Sequence, residues 1–507
     1  MSHTFHCPQP LLVMIALTIF RYATLAIALI VGFVILKAIY NVFFHPLRNF
    51  PGPLRYRASR IFWVLDLIEG RQIYTIDQFH KRYGPVVRTA PDELSFTIPE
   101  AWRDIYGHRV GLVSGLPEIP KWPLFYKFTK QDVSIFNAPQ GQHGTLRRAL
   151  AHGFSEKSTR AQESIIGGYV DLLVTRLKEV ADSKAPANMV QWYNYTTFDI
   201  VGDLVFGNSF HCLDNANYHP WVSLFADSTR QNSIFVGLKI LGLDFLALAT
   251  MPLVIRNMIK HFNLTKEWLR ERRKLGTDRG DLIEGLLKKE GEGINFDEIH
   301  GTSMGLIFAG SETTATLLSG VTYLLLQNPK TLAKVTMEVR SSFKSDKEIT
   351  LLSVQNLDYM LACLDEAFRL YPPVGIGLPR QIPKGGVKIA GIYVPEGSIV
   401  DVPQYAIHRS PDHWTEPESF HPERFLGDSR FASDKVETLQ PFAVGPRNCI
   451  GRNLAYAEMR LILARVLYNF DLKMDPSCSG WLDGQKSHAL WVKPPLKVQL
   501  TPTKATS

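Results

Sequence analysis

The stretch that decides the fold is Pro441-Phe442-Ala443-Val444-Gly445-Pro446-Arg447-Asn448-Cys449-Ile450-Gly451, which places a cysteine in a loop punctuated by glycines. The residues that follow, 452–460, have helical composition. A cysteine just before a helix faces backbone N–H groups and the positive end of the helix dipole, which stabilise its thiolate. Gly445 and Gly451 permit a tight turn or a close approach to a flat group, and Arg447 can hold an anionic group of a ligand. The alternative is that the cysteine is only a small buried apolar residue.

The spacing F-x-x-G-x-R-x-C-x-G resembles the haem-binding loop of the cytochrome P-450 family, the haem-thiolate monooxygenases. The resemblance implies a mainly α fold with a small β lobe (α+β) and one catalytic domain that holds haem b. It also implies that Cys449 is the axial ligand of the haem iron, a thiolate that pushes electron density onto the metal and favours O–O cleavage. Four further positions of the loop are then expected to bind the cofactor: Phe442, Gly445, Arg447 and Gly451.

Length, composition and charge set the broad class. The chain has 507 residues, of which 45% are hydrophobic and 21% charged, as in ordinary globular proteins. Its net charge of +8 suits an acidic partner surface or an anionic membrane. No run of Lys or Arg and no recognition motif accompanies this charge, so we expect no binding to nucleic acid. The cysteines show no pairing pattern, which is typical of a reduced compartment: Cys7, Cys212, Cys363, Cys449 and Cys478.

Residues 1–40 are predicted to form an N-terminal membrane anchor, with a transmembrane helix over about 22–40. A cleaved signal peptide is the competing interpretation, but the apolar run is long and no clear small-residue cleavage site follows it. Whether residues 11–20 belong to the same helix is left open by the sequence. Several arginines follow the segment, so the positive-inside rule predicts a single-pass protein of the endoplasmic reticulum membrane with its catalytic domain in the cytosol: Arg48, Arg55, Arg57 and Arg60.

The rest of the chain divides into a short connection and one large domain. Residues 41–60 are predicted to be a proline-rich hinge, and residues 61–507 the haem-binding catalytic domain. Two short strands over 84–89 and 93–98 are expected in the β lobe. Residues 104–137 are irregular and rich in aromatic side chains, and by resemblance they roof the substrate pocket.

A long helix is predicted from Asn295 to Gln327, because an N-cap with an acid three residues later is followed by a run without proline. Within it lies Ala309-Gly310-Ser311-Glu312-Thr313-Thr314. A hydrogen bond from Thr313 to the carbonyl of Ala309, and Glu312 as a solvated surface charge, are the structural alternatives. The family's oxygen-activation pattern A-G-x-E-T implies instead that Thr313 and Glu312 are catalytic, a hydroxyl that hydrogen-bonds oxygen and an acid that relays protons to it.

Glu366 and Arg369 lie three residues apart on a predicted helix over 357–370 and can pair. A surface salt bridge is the generic interpretation of such a pair. The family combines it with the arginine of a P-E-R-F element, here Arg424, in a buried triad that supports the haem loop. Burying the triad is tolerable only if every charge is paired.

Three further side chains are implied to contact the haem propionates. His143 and Arg147 are four residues apart and share a helix face; a solvated basic helix end is the alternative, and many family members carry Trp in place of His143. Arg380 follows residues 374–379, which by resemblance line the pocket. Hairpin strands around Gly391 and Gly397 are expected over 387–402. By resemblance, a last pocket-lining turn is expected at His488, Ala489, Leu490 and Trp491.

The predicted function is a monooxygenase that inserts one atom of O₂ into a hydrophobic small molecule, using NADPH electrons from a flavoprotein reductase. The motifs resemble filamentous-fungal members that decorate terpenes, polyketides or alkaloids. Arg447, Arg452 and Arg460 are candidates for docking an acidic reductase face. The alternatives are a haem-thiolate isomerase or dehydratase without external electrons and a haem sensor or carrier, neither of which needs the acid–threonine pair. A cysteine hydrolase fits poorly, because no histidine partner can be assigned.

Overall fold

The computed structural model describes residues 9–109, 118–126, 133–246 and 252–503. The expected mainly helical architecture with small β-sheets is confirmed. The helices, in chain order, are α1 (Gln9–Phe43), α2 (Leu54–Ala58), α3 (Ile61–Glu69), α4 (Gln72–Tyr83), α5 (Pro99–Tyr106), α6 (Pro123–Tyr126), α7 (Gln140–Ala151), α8 (Glu156–Ala161), α9 (Glu163–Asp182), α10 (Met189–Phe206), α11 (Cys212–Asn215), α12 (Pro220–Ile240), α13 (Pro252–Lys274), α14 (Glu284–Lys288), α15 (Phe296–Gln327), α16 (Pro329–Ser342), α17 (Asp358–Leu370), α18 (Gln404–Ile407) and α19 (Arg452–Asn469).

The strands are β1 (Val86–Ala90), β2 (Glu93–Phe96), β3 (Ala187–Asn188), β4 (Arg380–Gln381), β5 (Val387–Ile389), β6 (Ile392–Val394), β7 (Ile399–Asp401), β8 (Phe470–Met474), β9 (Lys486–His488), β10 (Leu490–Val492) and β11 (Lys497–Pro502). Within the described residues they form four small sheets. In one sheet the order is β1-β2-β7-β4, with β2 and β7 parallel and the other pairs antiparallel. Another has the order β3-β11-β8, and β5–β6 and β9–β10 are hairpins.

The predicted strands lie where the sequence placed them, but one of them pairs differently from the prediction. The predicted strands over 84–89 and 93–98 are β1 and β2. The stretch 387–402 gives one hairpin and then β7, which leaves that hairpin and pairs with β2 and β4. The irregular segment 104–137 falls partly outside the described residues, so its role as a pocket roof stays a prediction.

Helix α15 runs through the centre of the protein. It begins with the predicted cap: the Asn295 side chain accepts from the Glu298 N–H at 2.9 Å, and the Glu298 carboxylate accepts from the Asn295 N–H at 2.7 Å. The helix packs chiefly on α10, and a Cβ at Gly310 would lie 3.0 Å from a methyl carbon of Val201. The glycine therefore serves the close approach of these two helices.

Helix α1 is longer than the predicted 22–40. Its apolar part, Val13–Phe43, has 31 residues with a mean hydropathy of 2.3, and its apolar 18-residue core is not buried in the protein. By length and composition this helix can cross a membrane. Residues 11–20 belong to the same helix.

The segment that joins α1 to the domain is docked on β1. The backbone N–H of Arg88 donates to the carbonyl of Pro51 at 2.7 Å, and its guanidinium donates to the carbonyl of Asn41 at 2.8 Å. The Asn41 side chain donates to the carbonyl of Ala58 at 2.9 Å. A Cβ at Gly52 would lie 2.3 Å from the Arg88 carbonyl oxygen, so only glycine allows this approach.

Candidate functional site

A largely apolar cavity lies between α15 and α19, and we call it the cysteine cavity. It has about 820 Å³ of space, part of it open to solvent. One wall comes from α15 and the facing wall from the start of α19. Its residues on these two walls and the loop before α19 are Leu306, Ala309, Gly310, Thr314, Arg447, Asn448, Cys449, Ile450, Gly451, Leu454, Ala455 and Glu458.

The loop 441–451 presents Cys449 to this cavity. The N–H of Cys449 donates to the carbonyl of Phe442 at 2.9 Å, which closes the loop. Gly445 has a φ of +78°, and a Cβ there would lie 2.0 Å from the carbonyl oxygen of Tyr106, so this turn requires glycine. A Cβ at Gly451 would lie 3.8 Å from the Cys449 sulfur, an ordinary contact distance, so position 451 borders the sulfur directly.

The acidity of Cys449 reflects two opposing effects. Its side chain is open to the cavity but lies deep within the protein, and this burial raises the pKa of the thiol. The N–H of Gly451 and the charges of Arg147 and Arg452 oppose the rise. The stabilising contacts expected before a helix are therefore present, and burial opposes them. A metal ion that binds a thiol favours its thiolate form.

Positively charged side chains line the same cavity beside the cysteine. Arg147, on α7, donates from Nη1 to the carbonyl of Asn448 at 2.7 Å and so holds the residue before the cysteine. Arg447 donates from Nε and Nη2 to the Oε1 atom of Glu118, at 3.0 and 2.8 Å. Burial, and then the charge of Arg447, lower the pKa of His143 to about 3, so His143 is neutral at pH 7.

Sequence reasoning missed Lys121, which lines the cavity in the irregular segment. Burial first, then the charges of Arg380 and Arg447, lower the pKa of its ammonium to about 7. A carboxylate placed beside it would favour its charged form. Arg380 lies buried behind it, donates to the carbonyl of Ile119 at 3.0 Å, and is not among the described residues that line the cavity.

Sequence reasoning also missed Glu458, a buried acid in the α19 wall. Burial alone raises the pKa of its carboxyl to about 8, so it is mostly protonated at pH 7. Neither oxygen has a hydrogen-bond partner in the part of the chain that the structure describes. No local pattern singles this acid out, because it continues a helix that is otherwise apolar on this face.

The acid–threonine pair on α15 is engaged within the protein. The Thr313 hydroxyl donates to the carbonyl of Ala309 at 2.6 Å, which is the structural alternative considered for it. Glu312 forms an ion pair with Lys493, whose side chain is 3% exposed, so Glu312 is not a free surface charge. Among the described residues, Thr314 lines the cavity, whereas neither member of the pair does. Their catalytic role stays a prediction.

The predicted support lies behind the loop as a fully buried cluster of charges. Arg369 donates to Glu366 at 2.8 Å, and Arg424 donates to the same carboxylate at 3.1 Å. A fourth member, Asp434, pairs with the other side of Arg424, so two acids balance two bases. Trp414 lies against both guanidinium groups, with its ring centroid 5.3 and 5.6 Å away. The sequence did not predict Asp434.

Aromatic rings connect this cluster to the cysteine loop. Phe368, next to Arg369 on α17, packs against Phe442 with ring centroids 5.2 Å apart. Phe442 also packs against Tyr456 of α19 at 5.3 Å. Phe442 is thus a packing residue under the loop and is not among the described residues that line the cavity.

A mainly helical protein in which a loop cysteine opens onto an apolar cavity beside several cations has the architecture of a haem-binding oxidoreductase. A family model described as Cytochrome P450 matches residues 51–501. The chain belongs to the cytochrome P450 family.

Relatives with curated names cover almost the whole chain. Averantin hydroxylase of Dothistroma septosporum (strain NZE10 / CBS 128990) is 43% identical over 470 residues, covering 91% of this chain and 88% of the relative. Trichothecene C-15 hydroxylase of Fusarium sporotrichioides is 42% identical over 482 residues, covering 93% and 96%. Cytochrome P450 monooxygenase prhB of Penicillium brasilianum is 41% identical over 488 residues, covering 94% and 98%. The predicted enzyme class, a monooxygenase among the oxidoreductases, is confirmed.

The family's cofactor, haem b bound through a cysteine thiolate, fits the residues present. Cys449 opens onto the cavity, and Gly451 leaves space beside the sulfur. Lys121, Arg147 and Arg447 line it, while the only carboxylate paired with these cations among the described residues is that of Glu118. A flat apolar ring with two carboxylates matches both the shape and the excess of positive charge.

Proposed function

We propose that this chain is a membrane-anchored monooxygenase that hydroxylates a hydrophobic small molecule of a fungal secondary-metabolite pathway, with Cys449 as the axial haem ligand. The observation that carries the proposal is the cysteine itself, open to an apolar cavity opposite the small residues Ala309 and Gly310. The names of the relatives, hydroxylases of averantin and of a trichothecene, support the reaction type. A terpenoid, polyketide or alkaloid skeleton is the substrate class that follows.

Haem, when bound, supplies the activation of O₂. The chain's own residues would hold the haem: Arg147, Arg447 and Lys121, which line the cavity, would bind its propionates, and the buried Arg380 would add positive charge. His143 is neutral and offers a single N–H donor. Because Glu118 now neutralises Arg447, a propionate must share or replace that contact.

Proton delivery is assigned to Glu312 and Thr313. The hydroxyl of Thr313 already donates its proton to the carbonyl of Ala309, so its oxygen remains free to act as a hydrogen-bond acceptor. The Glu312 side chain is 19% exposed and so reaches solvent, the source of the protons. The acid and the hydroxyl are neighbours in sequence, and a short water link between them completes the relay.

The electrons come from an NADPH-dependent flavoprotein reductase, and the endoplasmic reticulum membrane holds both proteins, with the catalytic domain in the cytosol. Arg452 is exposed at the start of α19, three residues after the cysteine, and Arg460 is partly exposed two turns later. These two cations are the docking candidates. Arg447 is excluded from this role because it is bound to Glu118 inside the protein.

Labelled oxygen tests the reaction class. With reductase, NADPH, ¹⁸O₂ and extracts of pathway intermediates, we expect one labelled oxygen atom in the product, measured by mass spectrometry. The control omits the reductase and is expected to give no product. A product formed without NADPH and without label assigns the chain to the isomerases or dehydratases instead.

Replacing Thr313 with alanine tests the relay. Haem content stays unchanged, while product formed per NADPH falls about tenfold or more and peroxide takes up the difference, since a positioned proton donor contributes roughly 10²–10⁴-fold. Ser319→Ala is the matched control, because the Ser319 hydroxyl makes the same contact on the same helix, to Ala315 at 2.7 Å. Full coupling in Thr313→Ala removes the hydroxyl from the mechanism.

A further inference from the structure

Phe136 presents an aromatic ring to the cysteine cavity from residues 133–138, the short segment before α7. It lines the cavity and is 39% exposed. A large apolar side chain that is open to a concave apolar site is typical of a ligand-binding surface. The residues assigned so far hold haem or move protons, and none of them sets the size or shape of the substrate.

The ring lies in a notch of α15 that only glycine leaves open. A Cβ at Gly305 would lie 2.5 Å from the Cδ2 atom of Phe136, closer than carbon atoms pack. One turn earlier, a Cβ at Gly301 would lie 3.0 Å from the carbonyl oxygen of Val133. Residues four apart share a helix face, so the segment runs along one face of α15 that carries two glycines. A side chain at 305 would displace the ring.

Hydrogen bonds on both sides of Phe136 fix the backbone that carries the ring. The N–H of Ile135 donates to the hydroxyl of Thr302 on α15 at 3.3 Å. The carbonyl of Ala138 accepts from the guanidinium of Arg447, in the cysteine loop, at 2.9 Å. Because the backbone is held, a ring displaced from the notch turns about its own side-chain bonds, and the space open to it is the cavity.

The notch is one helical turn from the wall that faces the cysteine. Gly305 precedes Ala309 by four residues, which is about 6 Å along a helix at 1.5 Å per residue. Ala309 lines the cavity opposite Cys449. A ligand that fills the space between Ala309 and Cys449 and extends toward Gly305 therefore meets the ring of Phe136.

We propose that Phe136 is a specificity-determining residue: its ring, seated in the notch at Gly305, packs against the substrate and limits the bulk that approaches Cys449. The inference rests on the proposed haem site, which sets where the substrate reacts. The ligand class that fits is an apolar skeleton with a flat reacting end, because a flat aromatic group gains a favourable ring–ring contact there. A bulky branched group overlaps with the ring instead.

Spectral titration of the haem-loaded protein with imidazoles tests the ring without turnover. An imidazole nitrogen is an axial ligand of haem iron, so its binding in the cavity shifts the Soret band. The probes are phenylimidazole, which is flat, and tritylimidazole, which is bulky. Phe136→Ala is expected to lower the ratio of their dissociation constants, trityl over phenyl, about tenfold, since steric overlap in a packed site costs about this much. An unchanged ratio overturns the proposal.

Gly305→Ala tests the notch from the other side. The displaced ring is expected to weaken phenylimidazole binding about tenfold, while unsubstituted imidazole binds as before and shows that the variant folds and holds haem. In the Phe136→Ala background the same substitution has no further effect. Equal weakening in the two backgrounds overturns the proposal. Gly168→Ala, on α9, is the matched control, because a Cβ there meets nothing within 4 Å.

The unsubstituted imidazole separates this inference from the function on which it rests. A native protein whose Soret band does not respond to imidazole refutes the proposed haem site and this inference with it. A native protein that responds, together with variants at 136 and 305 that discriminate between the two probes as the native protein does, refutes the role of the ring alone.

Discussion

Cys449→Ala is expected to abolish the strongly red-shifted Soret band of the reduced CO complex. That band reports a thiolate opposite the CO, and an alanine offers no ligand to the iron. The cations and Gly451 still define a cavity for the ring, so part of the haem stays bound with an altered spectrum. Hydroxylation falls to background, because the electron donation that favours O–O cleavage is lost. Absorbance of the dithionite-reduced, CO-saturated protein measures the outcome.

Cys212→Ala is the matched control for this experiment. Cys212 is buried on α11, and burial raises the pKa of its thiol to about 12, as expected of an inert structural cysteine. Its replacement leaves the band in place and changes only stability. A red-shifted band that survives in Cys449→Ala refutes the assignment of the axial ligand.

Glu366→Ala is expected to cause the largest loss of stability. It leaves Arg369 and Arg424 buried with Asp434 as their only remaining acid, in a cluster whose side chains are 0–1% exposed. Removing one partner of a buried ion pair costs about 3–5 kcal/mol, a large part of the roughly 5–15 kcal/mol that stabilises a typical domain. Urea unfolding, followed by circular dichroism and haem absorbance, measures the loss.

The control is an ion pair with the same sequence spacing on the protein surface. Glu271 and Lys274 are also three residues apart on a helix and pair at 2.6 Å, but their side chains are 60% and 70% exposed. Exposed pairs contribute about 0.2–1 kcal/mol, so Glu271→Ala is nearly neutral. Equal losses in Glu271→Ala and Glu366→Ala contradict the structural role of the buried cluster.

The features that the sequence predicted well are those determined by residues close together in the chain. The cap at Asn295 and Glu298 is a pattern of four residues, and it sets the start of α15 where expected. The positive φ of Gly445 and the helix start after Cys449 are likewise local features. Such features follow from steric limits and backbone hydrogen bonding, which act over a few residues.

The features that sequence missed are contacts between distant segments. Lys493 and Glu312 are 181 residues apart, and Glu118 and Arg447 are 329 apart. The packing of helices and strands determines which charged side chains come into contact. The residue pattern within either segment does not predict that contact. Thr313 shows both cases. Its hydrogen bond to the carbonyl of Ala309 is local and could be predicted from the sequence. A catalytic role for its hydroxyl depends on what binds in the cavity.

The docking of Arg88 on both Pro51 and Asn41 has a consequence for the whole enzyme at a lipid bilayer. A 31-residue helix is about 46 Å long at 1.5 Å per residue, whereas the hydrocarbon core is about 30 Å thick. A longer span is accommodated in a bilayer by tilting, by kinking or by local thickening of the lipid. Because the end of α1 is bonded to the β lobe, a tilt of this helix in a bilayer would be passed on to the catalytic domain.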